Sequence, residues 1–380
     1  MIEDIKKFKI NWIDGMKISK EHFQGLQDFS SDSIKDAIGL QMTKFGYGLL
    51  PPSFGNNNKY SINIDTHKCL KIVIKGLRAI TPNGNRINIT DNTPLVKEEI
   101  IVEEFDNKDL EVGFVLINID TENLVAFGEQ ATNEVPPRYP FITNGYFFSF
   151  INEKELKQSG LSGNQLPIAK ITKQGNSLAV DLKYIPPSIT LDAHSSLVDF
   201  YNNAETFLKS IEQNAILIAQ KIKTKQSDNP IADSMYIVVD KIYPYIAEQI
   251  TTIRWEECNM QPNKILNIIV SFSRLFKGSV DVSSAENKEQ LFNYFGEWTN
   301  LNGGDYEKVF TNIININYNH TDIYQNLEVV SEFMSTTEKL FSVLTQVDYI
   351  GKRRDIGIFV NENIVEKKSN KSSSSSFLAE

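Results

Sequence analysis

Leu178-Ala179-Val180-Asp181-Leu182-Lys183-Tyr184-Ile185-Pro186-Pro187 is the stretch across which the hydrophobic period of this chain changes. Up to it, Leu178, Val180, Leu182 and Tyr184 alternate with polar neighbours, as do Tyr60, Ile62 and Ile64, and Leu70, Ile72 and Ile74. That is the period of half-buried strands. The two prolines hold the chain extended and end the last strand. Beyond them Leu197, Tyr201, Ala204, Leu208, Ile211, Ala215, Ile218 and Ile222 follow an unbroken alternation of four-residue and three-residue steps, which places all eight on one seam of a long helix. Turn chemistry at Pro82-Asn83-Gly84-Asn85 and Gln174-Gly175-Asn176 suits hairpins rather than βαβ crossovers. The expected fold class is α+β and multidomain: an antiparallel β-sandwich over residues 1–187, an α-helical bundle over 188–350, and a short tail over 351–380.

Further helices are expected from Ile231 to Ile253, bent at Pro244, from Pro262 to a C-terminal Gly278, and from Ala285 to Trp298. Ile323, Leu327, Val330, Met334, Thr337, Phe341 and Leu344 mark a last long one, with His320-Thr321-Asp322 as its capping candidate. Phe200 and Phe207 widen the first stripe toward a multi-helix bundle. The eight-position seam offers more apolar surface than one chain needs if its own helices cover one side only, so it is a candidate contact for the bundle or for an oligomer. From Asn361 onward the chain is Lys, Asn, Glu and the run Ser372 to Ser376, a composition that reads as disordered.

The chain has 380 residues, with 41% apolar and 23% charged, so collagen-like, largely disordered and disulfide-scaffold classes are excluded. Thirty-nine Lys and Arg against 48 Asp and Glu leave a formal charge of −9, which gives no drive toward phosphate backbones and no expectation of nucleic acid. Cys69 and Cys258 stand far apart and make neither a CxxC pair nor a disulfide framework. The opening residues hold no apolar h-region, and stretches such as Val112 to Ile119 fall well short of the ~18 residues a bilayer requires. A soluble, cytoplasmic protein without membrane insertion is expected.

Residues that could carry chemistry do not assemble. His22, His67, His194 and His320 lie in separate segments without metal-ligand spacing. Gly46-Tyr47-Gly48 begins like a dinucleotide fingerprint, but Pro51 occupies the third glycine position, and a turn is the better reading. Gly160-Leu161-Ser162-Gly163 is one residue short of a nucleophile elbow and reads as a loop. Glu98-Glu99 and Glu103-Glu104 flank Ile100, Ile101 and Val102 as a solvated strand face. Lys352-Arg353-Arg354 follows the last long helix, where cations complement the C-terminal partial charge. No catalytic group, cofactor or metal site is expected.

What remains is the N-terminal segment, where Trp12, Met16, Ile18, His22 and Phe23 place large side chains in a stretch that is neither a clean strand nor a clean helix. Such residues are core anchors or interface hot spots. Trp12-Ile13-Asp14-Gly15-Met16-Lys17-Ile18, followed by Glu21-His22-Phe23-Gln24, resembles the opening signature of the TssK family of type VI secretion baseplate subunits: Trp, any residue, an acidic residue, Gly-Met, then His-Phe-Gln. Leu166-Pro167-Ile168-Ala169-Lys170-Ile171, leading through Gly175 to Tyr184-Ile185-Pro186-Pro187, is similar to the end of that family's N-terminal sandwich, and Tyr318-Asn319-His320-Thr321-Asp322 to the start of its last middle-domain helix.

The resemblance implies a β-sandwich like the shoulder of phage receptor-binding proteins, a helical middle domain and a homotrimer. It implies no catalysis. The implied role is a connector between the TssF and TssG wedge subunits and the membrane complex, with Trp12, Met16, His22 and Phe23 as candidate partner-binding residues. Family members usually continue into a compact C-terminal head that contacts TssL and TssM. Here only ~30 residues follow the bundle, so the resemblance leaves the mode of membrane-complex contact open and makes the tail a candidate tether. A phage-tail baseplate or receptor-binding protein with the same sandwich is the alternative.

Overall fold

The computed structural model describes residues 7–39, 43–52, 58–65, 69–90, 93–94, 99–101, 111–175, 177–225, 229–299 and 301–353. It is an α+β structure whose strands fall between residues 48 and 180 and whose long bundled helices fall between 195 and 346. One further helix, α1 (Lys20–Gly39), precedes the strands.

The first sheet is built on β3 (Cys69–Ile80), which pairs antiparallel with β1 (Gly48–Leu49), β2 (Lys59–Ile64), β4 (Arg86–Thr90) and β5 (Glu99–Ile101). The second, also antiparallel, runs β7-β6-β8-β9, with β6 Val112–Phe127, β7 Phe141–Asn152, β8 Gln165–Gln174 and β9 Ser177–Val180. Leu70, Ile72, Ile74, Ile87 and Ile89 of the first sheet share one core with Val115, Ile117, Phe148, Leu166 and Ile168 of the second. Phe114 and Leu116 point the other way, into a small core with Leu156 of α2 (Glu153–Ser159) and Tyr184. Burial on both faces explains why Val112 to Ile119 is nearly continuous apolar sequence instead of an alternating one.

Both hairpin turns form where turn chemistry indicated. Gly84 adopts φ 78° between β3 and β4, and Gly175 φ 63° between β8 and β9, a region open to glycine without a Cβ penalty. The alternation through Leu182 and Tyr184 overextends the last strand, which ends at Val180. The Asp181 side chain accepts the Lys183 N–H at 3.0 Å and its carbonyl accepts the Tyr184 N–H, so a turn replaces the strand, leaving Leu182 exposed and Tyr184 buried.

The bundle comprises α3 (Ser195–Lys225), α4 (Pro230–Glu256), α5 (Pro262–Asp281), α6 (Ala285–Thr299), α7 (Gly303–Ile314) and α8 (Ile323–Gln346). α4 continues through Pro244. α5 runs past Gly278, which has open space around it and no capping conformation forced on it. The eight seam residues of α3 all face the chain's own helices: seven are buried and Ile222 packs against the same core. The seam is thus covered within the chain, since α4, α5 and α8 together enclose what one neighbouring helix would leave bare. The heavy phenylalanine content goes here: Phe207, Phe272, Phe276, Phe310, Phe333 and Phe341 form an edge-to-face array, with Phe276 and Phe310 centroids 4.9 Å apart. Each such pair contributes about 0.5–1.5 kcal/mol beyond its buried area.

α7 is absent from the expected helices, although Tyr306, Phe310 and Ile313 fall at helical spacing and bury one face, and its start is also written in the sequence. Asn302 accepts the Asp305 N–H at 2.9 Å and Asp305 accepts the Asn302 N–H at 3.0 Å, a reciprocal capping box. Asp322 stands at the N-cap of α8 but makes no side-chain capping bond there. Its carboxylate accepts from Lys170 of β8 instead, at 2.7 Å.

Candidate partner-binding surface

The N-terminal segment folds back on a helix that the residue pattern alone did not reveal. Residues 7–19 have no regular structure and turn at Ile13–Met16, where the Met16 N–H donates to the Ile13 carbonyl at 3.2 Å and Gly15 takes φ 78°. α1 then starts at a side-chain cap: the His22 Nδ1 accepts the Ser19 N–H at 3.0 Å and lies 2.9 Å from the Ser19 hydroxyl. This is the return half of a capping box, with histidine in the place of Glu or Gln. Hydrogen bonds from the Ser19 hydroxyl and from its own N–H hold the Glu21 carboxyl below its ordinary range.

Four contacts lay the segment along one side of α1. Lys7 pairs with Asp28 at 3.3 Å, Lys9 sits 5.7 Å from the Phe29 ring, Ile10 closes on Gly25, and Trp12 lies against the His22 ring at 5.9 Å between centroids. A Cβ at Gly25 would stand 2.8 Å from the far end of the Ile10 side chain, which shows how closely the segment lies on the helix. Of the four candidate residues, Trp12 and Phe23 are exposed, Met16 and His22 half-buried. Trp12 and His22 are brought together; His22 is a cap that shapes the surface. The segment also exposes Phe8, Ile13 and Ile18, and α1 exposes Leu26, Ile34 and Ile38. No residue of α1 is buried, and none belongs to the three apolar cores.

The root of this unit is fixed at the junction of sheets and bundle. Phe45 packs edge-on to Tyr318 at 4.8 Å and Tyr47 edge-on to His320 at 4.7 Å. In the neutral ring the His320 Nε2 donates to the Tyr47 carbonyl at 2.8 Å and its Nδ1 accepts from the Tyr318 hydroxyl at 2.8 Å. Gly48 follows, with φ 123°, and a Cβ there would lie 2.2 Å from Pro187, so the 46–48 stretch serves backbone approach and not a nucleotide. Lys170, Asp181, Asp322 and the Tyr184 hydroxyl, which donates to the Thr321 carbonyl at 2.9 Å, complete the junction.

Burial pushes the His320 imidazole down to about 4, against the smaller opposing effect of its bond to Tyr47. A histidine that binds its proton at 6.5 when unfolded and at about 4 when folded costs stability as pH falls through that window. His320→Gln is therefore expected to destabilise at neutral pH and to flatten this acid slope. The gap between wild type and variant should narrow by roughly 3 kcal/mol toward the acid end, as measured by urea unfolding.

The other chemical candidates stay apart. Among the described residues no three His, Cys, Asp or Glu side chains stand together as a metal site, and no helix is long and apolar enough to cross a membrane. Cys69 and Cys258 are not joined in a disulfide. Gly160–Gly163 is the loop between α2 and β8. Lys352 pairs with Asp348 at 2.6 Å and Arg353 with Glu297 at 3.0 Å, so local carboxylates engage both cations. His67, Glu98, Glu103, Glu104, Arg354 and the tail lie outside the described residues.

No family model matches the chain, and no curated protein does. Solved structures do. One chain of the type VI secretion system TssK-TssF-TssG baseplate subcomplex, seen by cryo-electron microscopy, aligns with a TM-score of 0.50 at 11% identity, over 87% of this chain and 100% of that one. A crystal structure of TssK aligns at 0.49 and 15% identity, over 88% of this chain and 70% of that one. TssK from the type VI system of EAEC, in complex with a nanobody, aligns at 0.48 and 12%, over 82% and 96%. At these identities the likeness is one of fold.

Proposed function

We propose that this chain is a non-catalytic adaptor of a type VI secretion baseplate, a homotrimeric connector in the cytoplasm that binds TssF and TssG wedge subunits and links them to the inner-membrane-anchored complex. Its sheet unit is residues 1–187 and its bundle 188–350. The observation that carries this reading is the N-terminal unit: an apolar segment and helix outside the described apolar cores, on a fold like that of a chain in the TssK-TssF-TssG subcomplex. A monomer gains nothing from leaving Phe8, Trp12 and Ile13 in water, and exposed contiguous apolar surface of this kind marks interaction sites. Trp12, lying against the ring of the His22 cap, is the proposed anchor for the wedge.

Trp12→Ala is expected to weaken capture of a TssF–TssG subcomplex by about 2 kcal/mol, a thirtyfold loss, with an unchanged circular dichroism spectrum. Capture at the wild-type level would remove the wedge from this surface. Loss of the fold in the variant would make Trp12 a packing residue instead.

A further inference from the structure

We propose that the open cavity where the second sheet, α2 and the stretch before α8 meet binds a tyrosine side chain of a partner peptide that carries carboxylates on either side of it. The cavity measures about 690 Å³, within the ~300–1,000 Å³ of ordinary ligand sites and roomy enough for one large side chain with its flanking backbone. Its walls come from places in the chain that only the tertiary fold brings together: Tyr47 after α1, Phe114 of β6, Leu156 of α2 with Leu161 just beyond it, and Asn319 before α8. Phe114 and Leu156 belong to the small core behind the second sheet, so one wall of the cavity is that core's own apolar surface.

Two polar groups converge on this apolar space. Tyr47 is only 9% exposed, yet its hydroxyl has no hydrogen-bond partner among the described residues and is not closed off from the cavity that the residue lines. The neighbouring phenols are already engaged: Tyr318 donates to His320, and Tyr184 to the Thr321 carbonyl. Burial pushes the Tyr47 phenol up to about 12, so it stays protonated and donates. Asn319 has its amide oxygen taken by the Thr321 N–H at 3.1 Å and hydroxyl at 2.7 Å, which leaves its amide nitrogen as a second donor. An unmatched donor at an apolar wall selects a ligand that is apolar along its body and carries an acceptor at its tip. A tyrosine side chain meets that demand: its ring packs against Phe114, Leu156 and Leu161, its hydroxyl accepts from Tyr47, and the Asn319 amide is left for a peptide carbonyl. Lys44 and Lys157, both exposed, line the solvent side. Lys157 pairs with Glu153 at 3.0 Å, whereas Lys44 has no carboxylate partner among the described residues and rests 4.7 Å from the Phe45 ring centroid. In a chain of charge −9 this local cationic excess selects a peptide with acidic flanks. Neither Trp12 nor α1 lines the cavity, so this inference is independent of the wedge reading.

The test is titration of the full chain, its leucine methyls isotope-labelled, with N-acetylated tripeptide amides, read by NMR at Leu156 and Leu161. Glu-Tyr-Glu is expected to shift both sets of methyls and to bind about three- to tenfold more tightly than Glu-Phe-Glu, the worth of one net hydrogen bond. Lys-Tyr-Lys should bind about tenfold more weakly than Glu-Tyr-Glu, with the gap closing at high salt. Tyr47→Phe removes only an unbonded hydroxyl and should keep the fold; it is expected to bind the Tyr and Phe peptides equally. Lys44→Glu is expected to weaken Glu-Tyr-Glu about tenfold with an unchanged circular dichroism spectrum. No shift at these methyls, equal binding of the Tyr and Phe peptides by the wild type, a Tyr preference that survives Tyr47→Phe, or acidic and basic peptides that bind alike would each overturn the proposal. So would N-acetyltyrosinamide binding as tightly as the tripeptide, since the cavity would then hold a free small molecule.

Discussion

Leu208→Asp is expected to abolish the folded bundle. Leu208 is fully buried on α3, next in sequence to Phe207 with its ring contacts to Phe272 and Phe333, and α4, α5 and α8 surround it. Truncation to alanine at such a site costs about 2–5 kcal/mol through lost transfer energy and the cavity left behind. A carboxylate without a partner adds a desolvation penalty of several kcal/mol more, and the sum reaches the ~5–15 kcal/mol by which a typical protein is stable. Ile211→Asp, fully buried one turn on, is expected to do the same. Leu217→Asp supplies the contrast: it lies on the same helix but is half exposed, and its cost should stay near ~0.5 kcal/mol. Far-UV circular dichroism and urea titration of the three variants measure this. Folded Leu208→Asp protein that has merely changed its oligomeric mass would return the seam to an interface between copies.

Lys170→Met is expected to cost about 3–5 kcal/mol at neutral pH, because it strands a buried carboxylate. The Lys170 ammonium, almost fully buried, sits 2.7 Å from Asp322 and 3.8 Å from Asp181. Burial raises the Asp322 carboxyl above its ordinary 3.8; the hydrogen bond and charge of Lys170 pull it back down, and Asp181 pushes it up. A carboxyl bound more tightly by its proton when folded loses stability as pH rises through the window from 3.8 to its folded value. Without Lys170 that folded value climbs further, so the deficit of the variant should be largest at neutral pH and shrink on acidification, as Asp322 takes a proton. His320 titrates in both proteins, and its slope cancels in the difference. Asp322→Asn in the Lys170→Met background should recover most of the loss. An equal deficit at neutral and acid pH would mean that Lys170 contributes packing alone.

Periodicity by itself determined the switch from strands to helices around Pro186-Pro187, the α3 seam, the two glycine turns, and the positions of α4, α5, α6 and α8, because local backbone geometry imposes those repeats on any buried face. The capping box of Asn302 and Asp305 was legible too, and would have located α7. α1 was harder: its start rests on a histidine in the role of a glutamate, and its apolar positions are interrupted by Ser30 and Ser33, so no stripe stood out. Only the tertiary structure decided which apolar surface is spent and which is left. The α3 seam and the exposed apolar residues of α1 have comparable side chains, yet one is enclosed by three helices of its own chain and the other, among the described residues, by none. The same holds for Asp322, which local spacing marks as a helix cap and which a lysine 152 positions earlier in the chain takes as an ion-pair partner. Spacing along a chain fixes which residues share a face; whether that face is covered depends on segments arriving from far away in sequence, and no local pattern records their arrival.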